Sequence, residues 1–320
     1  MALALAAACA LAPVGGSSKD SEVLLSPYLP RTAHQAYGYS LALDGPRVRP
    51  AKEWLLAAEH ALFRPAAAAL PLEVVGRFHS SRAEALGFAF DARGGRRIEI
   101  EVRTAASPEA GAAVAASPVF VDLFSAAAGR LEILESAAPA RGDEHGARVH
   151  RLEVAVLAPE RFVLRVQPAL EYAGEYRVTV RAAPLLAFPV DGMDIEAIQS
   201  GFGAERDGGA RSHRGVDIFA PRGTPALAAM DSWVSRVETT RRGGNVVWLQ
   251  PLFGDLRLYY AHLEEQLVEP GDFVLAGEAV GTVGNTGNAI TTPPHLHFGV
   301  YVRRRGGGRG GARDPYPFLD

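Results

Sequence analysis

The sequence predicts a mainly β chain: an N-terminal antiparallel β-sandwich-like domain followed by a second β-rich domain. Three observations lead there. Between residues 72 and 182, short apolar or alternating segments recur at 87–91, 97–102, 119–124, 161–166 and 174–180, with turn residues between them. Beyond Pro189 the β-branched and aromatic character returns at 245–249, 257–262 and 299–302, now among histidines and glycines. At 320 residues the chain is long enough for two cores, and 48% hydrophobic with 22% charged residues is ordinary globular composition.

Taken in order, residues 1–18 open with the apolar run MALALAAACALAP and a Gly/Ser stretch. They read as a secretory or lipoprotein signal peptide, although no Lys or Arg precedes Lys19. Cys9, the single cysteine, stands where a lipid anchor would attach, so no intramolecular disulfide is available. Residues 19–71 form a Pro-rich segment with one helix. At 51–63 Trp54, Leu55, Ala58 and Leu62 make an amphipathic pattern that Pro65 stops, and 66–69 read as a linker. Residues 72–182 are the β-sandwich-like accessory domain, whose GEYRVTV at 174–180 resembles the β-sandwich domains that accompany secreted bacterial hydrolases. A spacer, a wall-polymer binder, a docking module and a shield for the active site are all open for it. His60 reads as helix surface, and His79, His145 and His150 as loop and surface residues.

Residues 183–320 hold the chemistry. Here 223–229, 245–249 and 257–262 read as successive strands, and 270–281 as a strand, a glycine turn and a strand. In PPHLHFG at 293–299, His295 and His297 are two apart in a β-like run, which puts both imidazoles on one face. In SHRGVDIF at 212–219, His213 and Asp217 are four apart. That spacing shares a face on a helix or a strand, and Gly215 with the VDIF run favours the strand. If the two strands are neighbours, two imidazoles and a carboxylate converge. Three N/O ligands leave a fourth position open, as in catalytic rather than structural zinc sites, where a bound water becomes a nucleophile near neutral pH. His262, in LYYAHL, adds an imidazole for proton transfer or oxyanion stabilisation. The run RRRGGGRGGAR at 303–313 reads as a flexible solvated loop, with contact to anionic polymer as the sharper option.

HRGVD at 213–217, YAHL at 260–263, GNTG at 284–287 and PHLHF at 294–298 together resemble the lysostaphin-type (LytM-like) peptidoglycan metalloendopeptidases, over about residues 188–320. The resemblance implies a duplicated-hybrid-motif β fold with a groove across one sheet, and one zinc per chain. It makes His213, Asp217 and His297 the metal ligands, and His262 and His295 the catalytic residues; which of the two is the base stays open. It implies hydrolysis of peptidoglycan stem peptides in the periplasm, at the outer envelope or outside a bacterial cell. The bond cut, D-Ala to diaminopimelate or a glycine bridge, stays open too. Two other classes are a non-catalytic LytM-like activator of a wall amidase and a wall-binding protein with a structural zinc. Neither needs all five of these residues. The net charge of −3 gives no electrostatic case for nucleic acid, and no apolar run after the first residues has the length of a membrane span.

Overall fold

Alternation of apolar and charged residues builds most of this molecule. The computed structural model describes residues 30–43, 48–109, 111–112, 116–137, 147–206, 208–252, 255–302 and 311–320. The signal segment with Cys9, His145 and residues 303–310 of the Arg/Gly run lie outside them.

Two helices come first, α1 (Ala33–Leu43) and α2 (Val48–Phe63). The sequence predicts one. α1 was hidden because its period is weak, but Thr32 caps it, its Oγ1 accepting the Gln35 N–H at 3.1 Å. Next come β1 (Ala66–Ala67), β2 (Leu72–Phe78), β3 (Leu86–Ala92), β4 (Arg96–Ala106), β5 (Val119–Ser125), β6 (Glu132–Ser136), β7 (Ala147–Val156), β8 (Glu160–Pro168) and β9 (Gly174–Pro184). They form a five-stranded sheet ordered β1-β3-β8-β5-β6 and a four-stranded sheet ordered β2-β9-β4-β7. The expected linker is thus partly strand, since Ala66 and Ala67 pair in parallel with Phe88 and Ala89.

In β4 the alternation is plain. Ile98, Ile100 and Val102 are buried between the sheets, while Glu101 and Arg103 pair on the outside. Strand β5 is buried at every position. Its Val119, Val121 and Leu123 join the inter-sheet core, whereas Phe120 and Phe124 belong to clusters on the other side, Phe120 against Trp54 of α2. The helices therefore cover the outer face of the five-stranded sheet. Under them Arg165 Nη2 donates to Asp122 Oδ2 at 2.5 Å, both side chains being buried.

His150 is a correction. It is 2% exposed, on β7 opposite Val102, at an inward position shared with Leu152 and Val156. His60 and His79 are exposed, as expected.

The C-terminal strands are β10 (Ile198–Ser200), β11 (Glu205–Arg206), β12 (Arg211–Ser212), β13 (Val216–Phe219), β14 (Pro225–Leu227), β15 (Ser232–Thr240), β16 (Gly244–Pro251), β17 (Leu256–Gln266), β18 (Phe273–Val274), β19 (Ala279–Val283), β20 (His295–Val302) and β21 (Gly311–Arg313). A short helix, α3 (Tyr316–Leu319), follows. The main path runs β10-β13-β20-β17-β16-β15-β18, with β14 and β19 paired beside it. The segment read as strand, turn and strand at 270–281 is no hairpin: β18 pairs with β15, while β19 pairs with β14 and β17. Nor are the stretches at 223–229 and 245–249 neighbours, because β14 pairs with β19 and the unread β15 pairs with β16. Short-range pattern marks strands but not their partners. One face of the sheet is a core containing Ile218, Leu258, Tyr260, Leu296, Phe298 and Val300. The opposite face carries the histidines.

Candidate metal centre and its cleft

Period 2 on β20 does the first part of the positioning. Leu296 and Phe298 enter the core, so His295 and His297 point away from it together. Strand β13 lies antiparallel alongside with Asp217 directly opposite His297, and on the other side Ala261 of β17 is opposite His297. The shared face of His295 and His297 is as the spacing predicts, and the strand pairing meets the condition that the spacing left open.

His213 arrives differently. It is not on Asp217's strand, because β12 ends at Ser212 and β13 begins at Val216. The parity argument therefore does not apply, and the bend at Gly215 brings the imidazole back. A Cβ at Gly215 would lie 2.4 Å from the Phe298 carbonyl oxygen and 2.8 Å from the His297 ring. Only glycine lets the chain pass so close.

The result is a triangle of donor atoms. His213 Nε2 is 2.9 Å from His297 Nδ1 and 3.0 Å from Asp217 Oδ1, and His297 Nδ1 is 2.9 Å from the same oxygen. His213 Nδ1 lies 2.8 Å from the Gly201 carbonyl, which can only accept, so this nitrogen carries the proton. In neutral His213 the lone pair on Nε2 then faces a carboxylate oxygen, two acceptors in contact. A cation among the three atoms resolves that conflict. The donor set and its spacing fit zinc, whose tetrahedral ligands at about 2.0 Å stand roughly 3.3 Å apart.

Charge reinforces the arrangement. Burial alone would raise the Asp217 carboxyl, but the adjoining His213 and His297 imidazoles outweigh it and hold the group well below the usual carboxylate range. Burial lowers His297, favouring the neutral ligand form. The outer oxygen of Asp217 is taken by Arg206, whose Nη2 donates to Oδ2 at 2.5 Å and to Ser200 Oγ at 2.7 Å. Arg206 was not read from the sequence. It lies eleven residues from its partner on a two-residue strand, with no motif to mark it.

His262 and His295 stand beside the triangle without joining it. His295 Nε2 is 4.0 Å from Asp217 Oδ1, and the His262 and His295 ring centroids are 5.1 Å apart. Each has its tautomer set by a carbonyl: His262 Nδ1 donates to Thr286 O and His295 Nδ1 to Pro293 O, both at 2.9 Å. Their Nε2 atoms remain for chemistry. His262 has φ 64°, a left-handed conformation rare outside glycine. Burial lowers its pKa to about 4, so it is neutral at pH 7. All five residues line one cleft of about 310 Å³.

The profile of Peptidase family M23 matches residues 211–312. The peptidoglycan DD-endopeptidase ShyC of Vibrio cholerae is 35% identical over 120 residues, 36% of this chain and 27% of that protein. The glycyl-glycine endopeptidase ALE-1 of Staphylococcus capitis is 38% identical over 109 residues, 34% of this chain and 29% of that one. The chain thus spans under a third of the length of these two relatives. The catalytic domain of lysostaphin from Staphylococcus simulans is 36% identical in structural alignment, covering 37% of this chain and 88% of that domain at a TM-score of 0.33. At that score the likeness rests on the sequence matches, and by them residues 211–312 match Peptidase family M23 and are similar to lysostaphin-type (LytM-like) peptidoglycan endopeptidases.

Proposed function

We propose that the chain is a zinc endopeptidase that hydrolyses peptide cross-links of bacterial peptidoglycan. His213, Asp217 and His297 hold the metal, and His262 and His295 are the catalytic residues. The observation that carries this reading is the convergence of three donor atoms within 3.0 Å of one another, with two carbonyl-oriented histidines in the same cleft. When bound, zinc supplies Lewis acidity toward water and the scissile carbonyl. The protein residues do the rest. The Nε2 atoms of His262 and His295 can accept a proton from the attacking water, pass it to the leaving amine and hydrogen-bond the oxyanion. Arg206 holds Asp217 so that one oxygen faces the metal position.

On this reading the protein works at the bacterial envelope or outside the cell. Among the described residues no helix is long and apolar enough to cross a membrane. Residues 183–320 are the proposed peptidase unit and 72–182 an accessory unit.

The test is metal content of the purified chain, with release of muropeptides from purified sacculi with and without a chelator. About one zinc per chain and chelator-sensitive release are expected, and Asp217→Ala should lose both. Full zinc in that variant refutes the ligand assignment. Zinc without release from the parent chain points instead to an amidase activator.

A further inference from the structure

We propose that the cleft selects a peptide carrying a free carboxylate beside the scissile amide, and that Arg242 makes the selection. This rests on the endopeptidase reading above. Three guanidiniums line the cleft: Arg206 and Arg211 from the β11–β12 hairpin, and Arg242 from the turn between β15 and β16. Among the described residues Asp217 is the one carboxylate lining it, and its two oxygens are engaged by the histidines and by Arg206. Arg206 offsets Asp217 and Arg211 makes an interaction of its own, so the charge left at the rim is that of Arg242. Arg206 serves the five-residue site by holding Asp217, and Arg242 has no such task there.

Arg242 is placed for substrate rather than for the fold. Its backbone is pinned, its carbonyl accepting the Asn288 N–H at 3.1 Å. The next residue, Gly243, accepts the His262 N–H at 2.7 Å, which puts Arg242 one residue from the chain segment that holds a catalytic histidine. Yet its exposed side chain makes no hydrogen bond or ion pair among the described residues. A guanidinium at the rim of a reactive cleft is a fork for a carboxylate.

The two bonds that the sequence leaves open differ in this respect. A glycine bridge has no carboxylate near its amides. A cross-link closed directly onto a diamino dicarboxylic residue leaves one next to the amide nitrogen. The charge of the cleft favours the second and gains nothing from the first.

The test uses the full zinc-loaded chain and three peptides: one with a free carboxylate beside the scissile amide, its carboxamide twin and a pentaglycine. Binding of the same peptides to the chelator-treated chain, read by fluorescence anisotropy, is the second readout. The expected preference for carboxylate over carboxamide is about tenfold in kcat/KM and in Kd, falling with added salt. Arg242→Gln should shrink that ratio to about twofold, and Arg242→Lys should restore part of it. Equal handling of the twins, or a preference for pentaglycine, overturns the proposal and leaves the endopeptidase reading intact. If no peptide is cut, that reading fails, and the anisotropy ratio alone decides the proposal.

Discussion

At the scale of single residues, the proposed division between metal holding and proton handling rests on a difference of about an ångström. His295 lies 4.0 Å from the carboxylate oxygen that His213 and His297 approach to 3.0 and 2.9 Å, and so stays outside the triangle. His262 is held outside by its own bond to Thr286. His262→Ala should therefore keep its zinc while kcat falls by about two to four orders of magnitude, the usual loss of an acid–base group. Metal analysis beside single-turnover hydrolysis checks this. Loss of zinc in that variant would make His262 a ligand and refute the division of roles.

Elements explain two buried polar residues that no catalytic argument uses. α1 is held down through His34, 4% exposed, stacked on Trp54 at 4.4 Å with its Nε2 2.6 Å from Gln167 Oε1. Trp54 in turn donates to the Pro168 carbonyl at 2.8 Å, so both helices are bolted to β8. Burial, helped by the nearby Arg165 charge, lowers the His34 pKa to about 4. The folded pKa lies below the unfolded value of about 6.5, so below pH 6.5 the unfolded chain binds the extra proton. This contribution is complete above pH 6.5 and is lost as pH falls from there toward 4, about 2 kcal/mol of it by pH 5. Urea midpoints at pH 7 and pH 5 should drop more for the parent chain than for His34→Gln. Parallel drops would show that His34 stays neutral in both states or charges freely in both.

For the whole molecule, the two β regions meet at a small seam. The Leu185 N–H donates to the Gly95 carbonyl at 3.0 Å, the Leu186 N–H to Phe318 at 2.9 Å, and Arg96 reaches the Asp320 carbonyl. The cleft takes nothing across that seam: among the described residues, every one lining it lies between Ser200 and His297. A fragment of residues 185–320 should therefore bind zinc with the parent stoichiometry and retain at least half the sacculus-releasing rate. Its melting temperature should be lower, since Phe318 and Leu319 lose neighbours at the seam. Release several-fold faster than the parent's would show instead that the N-terminal region restrains the enzyme.

The sequence by itself marked five candidate site residues and determined the face that two of them share. His295 and His297 sit on a strand whose alternate positions are Leu296 and Phe298, and that pattern has one low-energy solution once a core forms. It also marked five strands of the first domain through alternation or apolar runs. What it could not determine depended on partners distant along the chain. His213 joins Asp217 by way of a bend at Gly215, a passage set by the Phe298 carbonyl on another strand. Arg206 reaches Asp217 through a hairpin with no periodic signal. His34 and His150 are buried because a helix pair and a second sheet close over them, and sheet order places β14 and β18 beside unexpected neighbours. Local period reports which way a side chain points, and the choice of what it meets there belongs to the tertiary fold.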